Sequence, residues 1–600
     1  MLPLHPSAVP ARMIERATAR RLAGDWRGAC AAAGVDVEVD SAALKRAHGA
    51  QVAADVDDEL RHLVPDLLRW HLPRRPADGL LRTGLRLPLA LFPDAHALVA
   101  RPPDRLDRPQ RIALRFERLD GTAVGRRDDA LLHLRDRWDS RRTARLLARC
   151  GGETRLPFFT ATGERLDTPG GDGPEGLVER AVLLDEGGRH AQAWAAAGFT
   201  LEVLLFDEGW SRDRIDPAAF GPGRTGAERD EARRAVVEQS LTWLRPLHAA
   251  LAGAAGWVVE HIADLRRTGL AEPEPGHEAR SPAGGAAARR AVAPPRPEPM
   301  PVGVDTRSGL VRIDLRGRCI VLDRFDTGRP RARLVAGVPY GRVDEGRVRA
   351  EVAEFGLPLD RVPRLPHVLA RRPEELTALL HGRVRPDQLH PLVHAALFPA
   401  GTPPTPPAPP KLRDRIRVHC DDAVHEVLLR DGAIRLDHPP EEIRRERMIK
   451  AFGGRVQGCV AAHDGWRDAT VRLPGPMRGL RREFLTLALH GDGPAVAAAL
   501  DGGLDPHVCD ERGRTLLHLL PRLSDVDLLP RLLAAGLDVN ARDLNGETPL
   551  HPAVDHGPAD LVRALLAAGA DPQARSSAPY PRVAIWTGRP DLEFLRSLNR

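Results

Sequence analysis

The chain has 600 residues, enough for about four domains of roughly 150 residues each. Its 42% apolar content is ordinary for a globular protein, and its 55 glycines and 55 prolines stay below the level of wholesale disorder. No run of about 18 apolar residues occurs, which excludes a membrane-spanning helix, and the net charge of +6 is small for the length.

Lysine occurs only at Lys45, Lys411 and Lys450, so 85 of the 88 basic residues are arginine. Asparagine is equally scarce, at Asn540, Asn545 and Asn599. Residues with AT-rich codons are missing and those with GC-rich codons abound, so the arginine excess reads as codon bias. Arginine also alternates with acids along most segments, as in LHLRDRWDSRR, and does not gather into a patch. A nucleic-acid binder concentrates its charge, so no nucleic acid is expected as a partner. The opening MLPLHPSAVPAR has neither an early basic charge nor an apolar core, so no secretory signal is expected. Six cysteines, Cys30, Cys150, Cys319, Cys420, Cys459 and Cys509, contain no C-x-x-C pair. That spacing predicts free thiols in a cytoplasmic protein, with no metal site and no cofactor.

In chain order, residues 10–160 predict an α+β module. Its segment IERATARRLAGDWRGACAAAGVDVEV, from Ile14, is echoed by VERAVLLDEGGRHAQAWAAAGFTLEV, from Val178, at an offset of 164 residues. Both read as helix, glycine-centred turn, helix, glycine cap and strand. Trp26 and Trp194 fall at different positions of the second helix and are expected in the core. A Gly/Pro-rich break near 160–176 precedes a related module at 174–269. A Pro/Ala-rich linker follows at 270–302.

Residues 303–398 predict a third α+β module. It opens on alternating strands around Gly317-Arg318 and ends on HPLVHAALFP. Leu397-Phe398-Pro399 echoes Leu91-Phe92-Pro93. His390 and His394 stand at i and i+4, a chelating spacing. With no carboxylate between them and apolar neighbours, they read as core or surface residues. After a Pro-rich linker at 399–410, residues 411–480 predict a small β-hairpin plus helix module. Asp431-Gly432 forms its turn, and an amphipathic helix over about 440–452 is stopped by Gly453-Gly454. His419-Cys420-Asp421-Asp422 sets reactive residue types side by side. Neighbours in a strand point to opposite faces, so a Cys–His dyad is not expected there.

The last fifth repeats every 33 residues. Asp505, Asp538 and Asp571 follow AALDGGL, RLLAAGL and ALLAAGA, and Gly513-Arg514-Thr515-Leu516-Leu517-His518 recurs as Gly546-Glu547-Thr548-Pro549-Leu550-His551. Threonine can cap exposed N–H groups, and proline at the first helical position wastes no donor. A 33-residue period carrying T-P-L-H resembles ankyrin repeats, over residues 481–600. The resemblance implies a C-terminal all-α solenoid of two clear repeats plus degenerate caps, within a multidomain α+β chain. It implies turn-closing roles for Thr515, His518, Thr548, Pro549, His551, Gly513 and Gly546. It also implies protein contacts at the hairpin tips, here Asp510, Glu511, Arg512, Arg514, Asp543, Leu544, Asn545 and Glu547. The remainder shows a looser resemblance to large uncharacterised actinobacterial proteins that end in ankyrin repeats, which implies no activity.

Residues 481–600 carry 13 arginines and 16 acids, net −3, which leaves +9 on the first 480. Such an array suits a basic protein surface or the chain's own N-terminal part. No P-loop, G-x-S-x-G, H-E-x-x-H or EF-hand pattern occurs, and no catalytic residue is assigned. The expectation is a cytoplasmic scaffold that binds a protein partner through its ankyrin repeats. The alternative is an enzyme or toxin-like effector with its activity in residues 1–480, the array serving recruitment or autoinhibition.

Overall fold

The computed structural model describes residues 9–119 (without 77 and 107), 130–205, 225 and 227. It also describes most of 310–336, isolated positions from 355 to 365, residues 372–404, 414–452 (without 421 and 422), 457–577 (without 524–527) and 589–599. The linker 270–302, residues 405–410 of the Pro-rich linker, Gly317 and the Gly453-Gly454 stop lie outside the described residues.

The N-terminal fold starts with a helical hairpin, Ala11–Leu22 and Trp26–Ala32, running into strand β1 (Val35–Val37). Gly24 and Gly34 make its turns at φ +76° and +66°, a region that costs glycine little. Asp25 caps the second helix by accepting from the Gly28 N–H at 2.8 Å. Helices Ser41–His48, Ala50–His62 and Pro65–His71 follow. A meander then completes the sheet: β2 (Leu87–Phe92), β3 (His96–Arg101) and β4 (Ile112–Arg118). The order is β1-β4-β3-β2, with β1 parallel to β4 in the register Val35↔Ile112. Trp194 is core, as expected, whereas Trp26 is only half-buried.

The same topology occurs twice. Helices Pro174–Glu186 and His190–Ala196 lead into β5 (Thr200–Leu205). The meander here is β6 (Val311–Leu315), β7 (Arg318–Asp323) and β8 (Arg331–Ala336). The order is β5-β8-β7-β6, again with the first strand parallel to the last, Thr200↔Arg331. Gly188 and Gly198, 164 residues after Gly24 and Gly34, have φ +75° and +86°. This corrects two expected boundaries. Residues 174–269 and 303–398 are not separate modules, because β5 has its ladder partner in β8. The break at 160–176 is not a free spacer either. Glu179 accepts from the N–H groups of Phe158 at 2.7 Å and Gly170 at 2.6 Å, tying the loop to its helix. The Leu-Phe-Pro echo is not structural: Leu91 and Phe92 lie in β2, whereas Leu397 ends the helix Pro391–Leu397.

The two copies share one core, in which Val64 and Leu67 of the first meet Trp194, Val311, Leu376 and Phe398 of the second. Polar pairs cross this contact in full burial. His71 Nε2 lies 2.9 Å from Glu375, on the helix Glu374–Leu380. His390 Nε2 lies 2.9 Å from Asp66. His390 Nδ1 accepts from the Leu392 N–H, so Nε2 holds the proton that faces Asp66. The i, i+4 histidines therefore do not converge: His394 packs instead on the Phe398 ring.

The C-terminal body begins with β9 (Arg415–Cys420), β10 (Ala423–Arg430) and β11 (Ala433–Arg435), an antiparallel sheet of order β11-β10-β9. Asp431 and Gly432 both take positive φ, 55° and 71°, as a type I′ turn requires. Helix Pro440–Ala451 exposes Met448 and Ile449, whereas helix Gly458–Arg467 buries Cys459, Val460 and Trp466. Three antiparallel helix pairs follow: Gly475–His490 with Gly493–Asp501, Leu516–Leu523 with Leu528–Ala534, and Leu550–His556 with Ala559–Ala567. A 3-10 segment, Pro590–Asn599, covers the end. Helix Gly475–His490 runs across position 480, where the 33-residue register suggested a boundary. One apolar core extends from Ile416 and Val418 of the sheet through Trp466 and Phe484 to Leu565 and Leu595.

Candidate functional site

Each repeat turn is held by its own motif. Thr515 donates its backbone N–H to His518 Nδ1 at 3.1 Å, with its hydroxyl 3.0 Å from the same nitrogen. Thr548 and His551 repeat this at 3.0 Å for both contacts. His518 Nε2 then reaches the Glu547 carbonyl of the next turn at 3.0 Å. Nδ1 must accept and Nε2 must donate, so the arrangement needs neutral imidazole. Burial pushes the His518 ring below its ordinary pKa, although the Glu547 carbonyl opposes this. Gly513 and Gly546 close the tips at φ +77° and +74°. Thr548 and Pro549 are buried.

The repeating aspartates brace the inter-repeat loops. Asp505, Asp538 and Asp571 each accept from the N–H two residues on: His507 at 2.9 Å, Asn540 at 2.8 Å and Gln573 at 2.8 Å. Asn540 adds a link between repeats, donating to the Gly569 carbonyl at 3.0 Å and accepting from the Asp571 N–H at 2.8 Å.

The eight tip residues separate into two groups. Asp510 accepts from the N–H groups of Arg512 and Arg514 at 2.8 and 2.9 Å and pairs with the Arg514 guanidinium at 2.7 Å. Asp543, buried, accepts from the N–H groups of Asn545 and Glu547 at 2.8 and 2.9 Å. These groups build the turns. Leu544 donates its N–H to the Arg512 carbonyl at 2.8 Å, stacking one tip on the next, while its side chain is 61% exposed. Glu511, Arg512 and Asn545 are also exposed.

A cleft of about 710 Å³ opens between this array and the N-terminal fold. Arg478 and Arg482, from helix Gly475–His490, and Arg512 and Arg514, from the first tip, line one side. Arg75, Asp78 and Leu106 line the other. Arg481 and Arg522 complete seven arginines, against Asp78, Asp510 and Glu511. His490 Nε2 meets the Asp78 carbonyl at 3.2 Å, and Arg522 donates to the Leu106 carbonyl at 3.0 Å. The chain's own N-terminal part is thus seated beside the inner helices. Sequence reasoning missed Arg478, Arg482 and Arg522 because arginine abounds everywhere in this chain.

Stacked helix pairs, T-x-L-H turns and projecting hairpin tips define a protein with an ankyrin solenoid, a class whose members generally bind other proteins. The ankyrin-repeat family model matches residues 485–576 in three copies, and this chain is an ankyrin repeat domain-containing protein. The copy built on Gly475–His490 and Gly493–Asp501 counts as a repeat although it lacks the T-P-L-H motif. No curated protein matches the chain. No helix among the described residues is long and apolar enough to cross a membrane.

Proposed function

We propose that this chain is a cytosolic protein-interaction scaffold whose ankyrin segment takes an acidic segment of a protein partner. The arginine-lined cleft between the array and the N-terminal fold carries the reading. Arg478, Arg482 and Arg512 are exposed there, and guanidinium groups suit carboxylates because they donate in pairs. The array as a whole is acidic, yet this face is basic, so the expected preference for a basic partner is reversed locally. The exposed tip residues Leu544 and Asn545 supply a second contact outside the cleft.

The test uses the full chain, since cutting at 480 would sever helix Gly475–His490. A fluorescent glutamate-rich peptide should bind with marked salt dependence, and Arg478→Glu with Arg482→Glu should abolish that binding. The same pair should remove partners captured by affinity purification from the source cell. Peptide binding and partner recovery that are both unchanged by this double reversal would sink the proposal.

A further inference from the structure

We propose that Cys420, His425, His438 and Cys459 form a closed structural zinc site that fastens the small β-sheet to the start of the ankyrin array. Their four ligand atoms, two sulfurs and two ring nitrogens, all lie within 4.8 Å of one another. A tetrahedral zinc with bonds of about 2.3 Å to sulfur and about 2.0–2.1 Å to nitrogen sets its ligands about 3.3–3.8 Å apart, inside that limit. Two thiolates with two imidazoles suit zinc and fill its four positions, leaving none open for catalysis.

The surroundings are built for this use. Cys420 ends β9 and His425 lies on β10, on the sheet face that buries Ile416, Val418, Val427 and Leu429. The apolar face therefore ends in two ligands at the hairpin tip, while the neighbouring His419 points to solvent. His438 Nδ1 stands 2.8 Å from the Glu442 carboxylate. That contact fixes Nε2 as the ligand atom, as carboxylates behind zinc-bound histidines do. His425 Nδ1 faces this Nε2 at 2.8 Å, so both rings aim at one point.

On the sulfur side, the Cys459 N–H donates to Cys420 Sγ at 3.0 Å, which brings the two cysteines together. Gly458, at φ +58°, lets the chain pass over that sulfur: a Cβ there would come within 2.3 Å of it. Binding would release one proton from each thiol, while the proton between the two imidazoles would move to His425 Nε2, so affinity should weaken in acid. Cys459 opens the helix whose far end, Trp466 and Arg467, holds Asp505 of the array. The metal would thus fix the sheet and the first repeat in one body.

The experiment measures metal content of the full chain, purified under reducing conditions and reconstituted with zinc. About one tightly held zinc per chain is expected, and cobalt substitution should give the intense visible absorption of a tetrahedral thiolate site. Cys420→Ala and His438→Ala should each abolish both signals. Glu442→Gln, which touches no ligand atom, should weaken zinc binding about 10- to 100-fold and keep the fold by circular dichroism. Cys459→His, which supplies another zinc donor, should retain the metal. No zinc retained by the wild type, or equal zinc in the wild type and the Cys420 and His438 variants, would each overturn the proposal.

Discussion

Trp466 donates its indole N–H to the backbone carbonyl of Asp505 at 3.1 Å, and Arg467 beside it grips the Asp505 carboxylate at 2.6 and 3.0 Å. The helix before the repeats and the first repeated aspartate therefore form one unit. The indole and the carboxylate are both buried, so water cannot replace these bonds cheaply.

A fragment spanning 411–600 should unfold in a single cooperative transition, and one spanning 481–600 should not. Arg467→Ala should cost the longer fragment about 1–3 kcal/mol by leaving a buried carboxylate short of a partner. Denaturant melts followed by circular dichroism check both outcomes. Two separate transitions in the longer fragment would contradict the shared core.

His518 makes the array acid-sensitive. Its folded pKa lies below the unfolded value, so the unfolded chain binds the extra proton. The stabilisation is present above about pH 6.5 and is lost as pH falls below that value. Urea midpoints at pH 7.5 and 5.5 should differ in the wild type, and His518→Asn should reduce the difference.

Glu175 gives a second, more acidic window. Its carboxyl is buried, which alone would raise its pKa. The backbone N–H groups of Thr154, Glu153 and Arg155, at 2.8, 2.8 and 3.2 Å, outweigh that and bring it down to about 2. Its contribution is therefore full above about pH 4.5 and is lost as pH falls towards 2. Glu175→Gln should cost about 1–3 kcal/mol at neutral pH and flatten the acid limb of the stability profile.

The contact between the two N-terminal copies depends on buried charge. Burial raises the Glu375 carboxyl, but Arg137 and His71 overcome this and hold it well below the usual range. Glu375→Ala would leave His71 and Arg137 without their carboxylate and should cost about 3–5 kcal/mol. Removing the exposed Arg435–Asp431 pair should cost under about 1 kcal/mol. Thermal melts of the full chain would show whether the two changes differ in this way.

Periodicity made the local structure legible. The 33-residue spacing of Asp505, Asp538 and Asp571 marks turns that each repeat closes with its own residues, so local sequence suffices. The 164-residue offset marked two helical hairpins for the same reason: Gly24, Gly34, Gly188 and Gly198 sit where only positive φ lets the chain turn. The strands that finish each copy were not legible as partners. The ladder partners Thr200 of β5 and Arg331 of β8 are 131 positions apart, and ladder pairing leaves no short-range pattern.

Side chains that meet through space were hidden in the same way. Cys420, His425, His438 and Cys459 come from a strand end, the next strand, a loop and a helix start, with no C-x-x-C among them. Arg478 and Arg512 looked like any other arginines until the fold set them across a cleft from Arg75. By itself the sequence determined the repeats, the duplicated helical hairpins and the type I′ turn at Asp431-Gly432, because each is closed by bonds between near neighbours in the chain. Only the tertiary structure decided which strands complete each sheet, which core the last repeats share and which ligands converge, because burial brings together groups whose separation along the chain carries no signal.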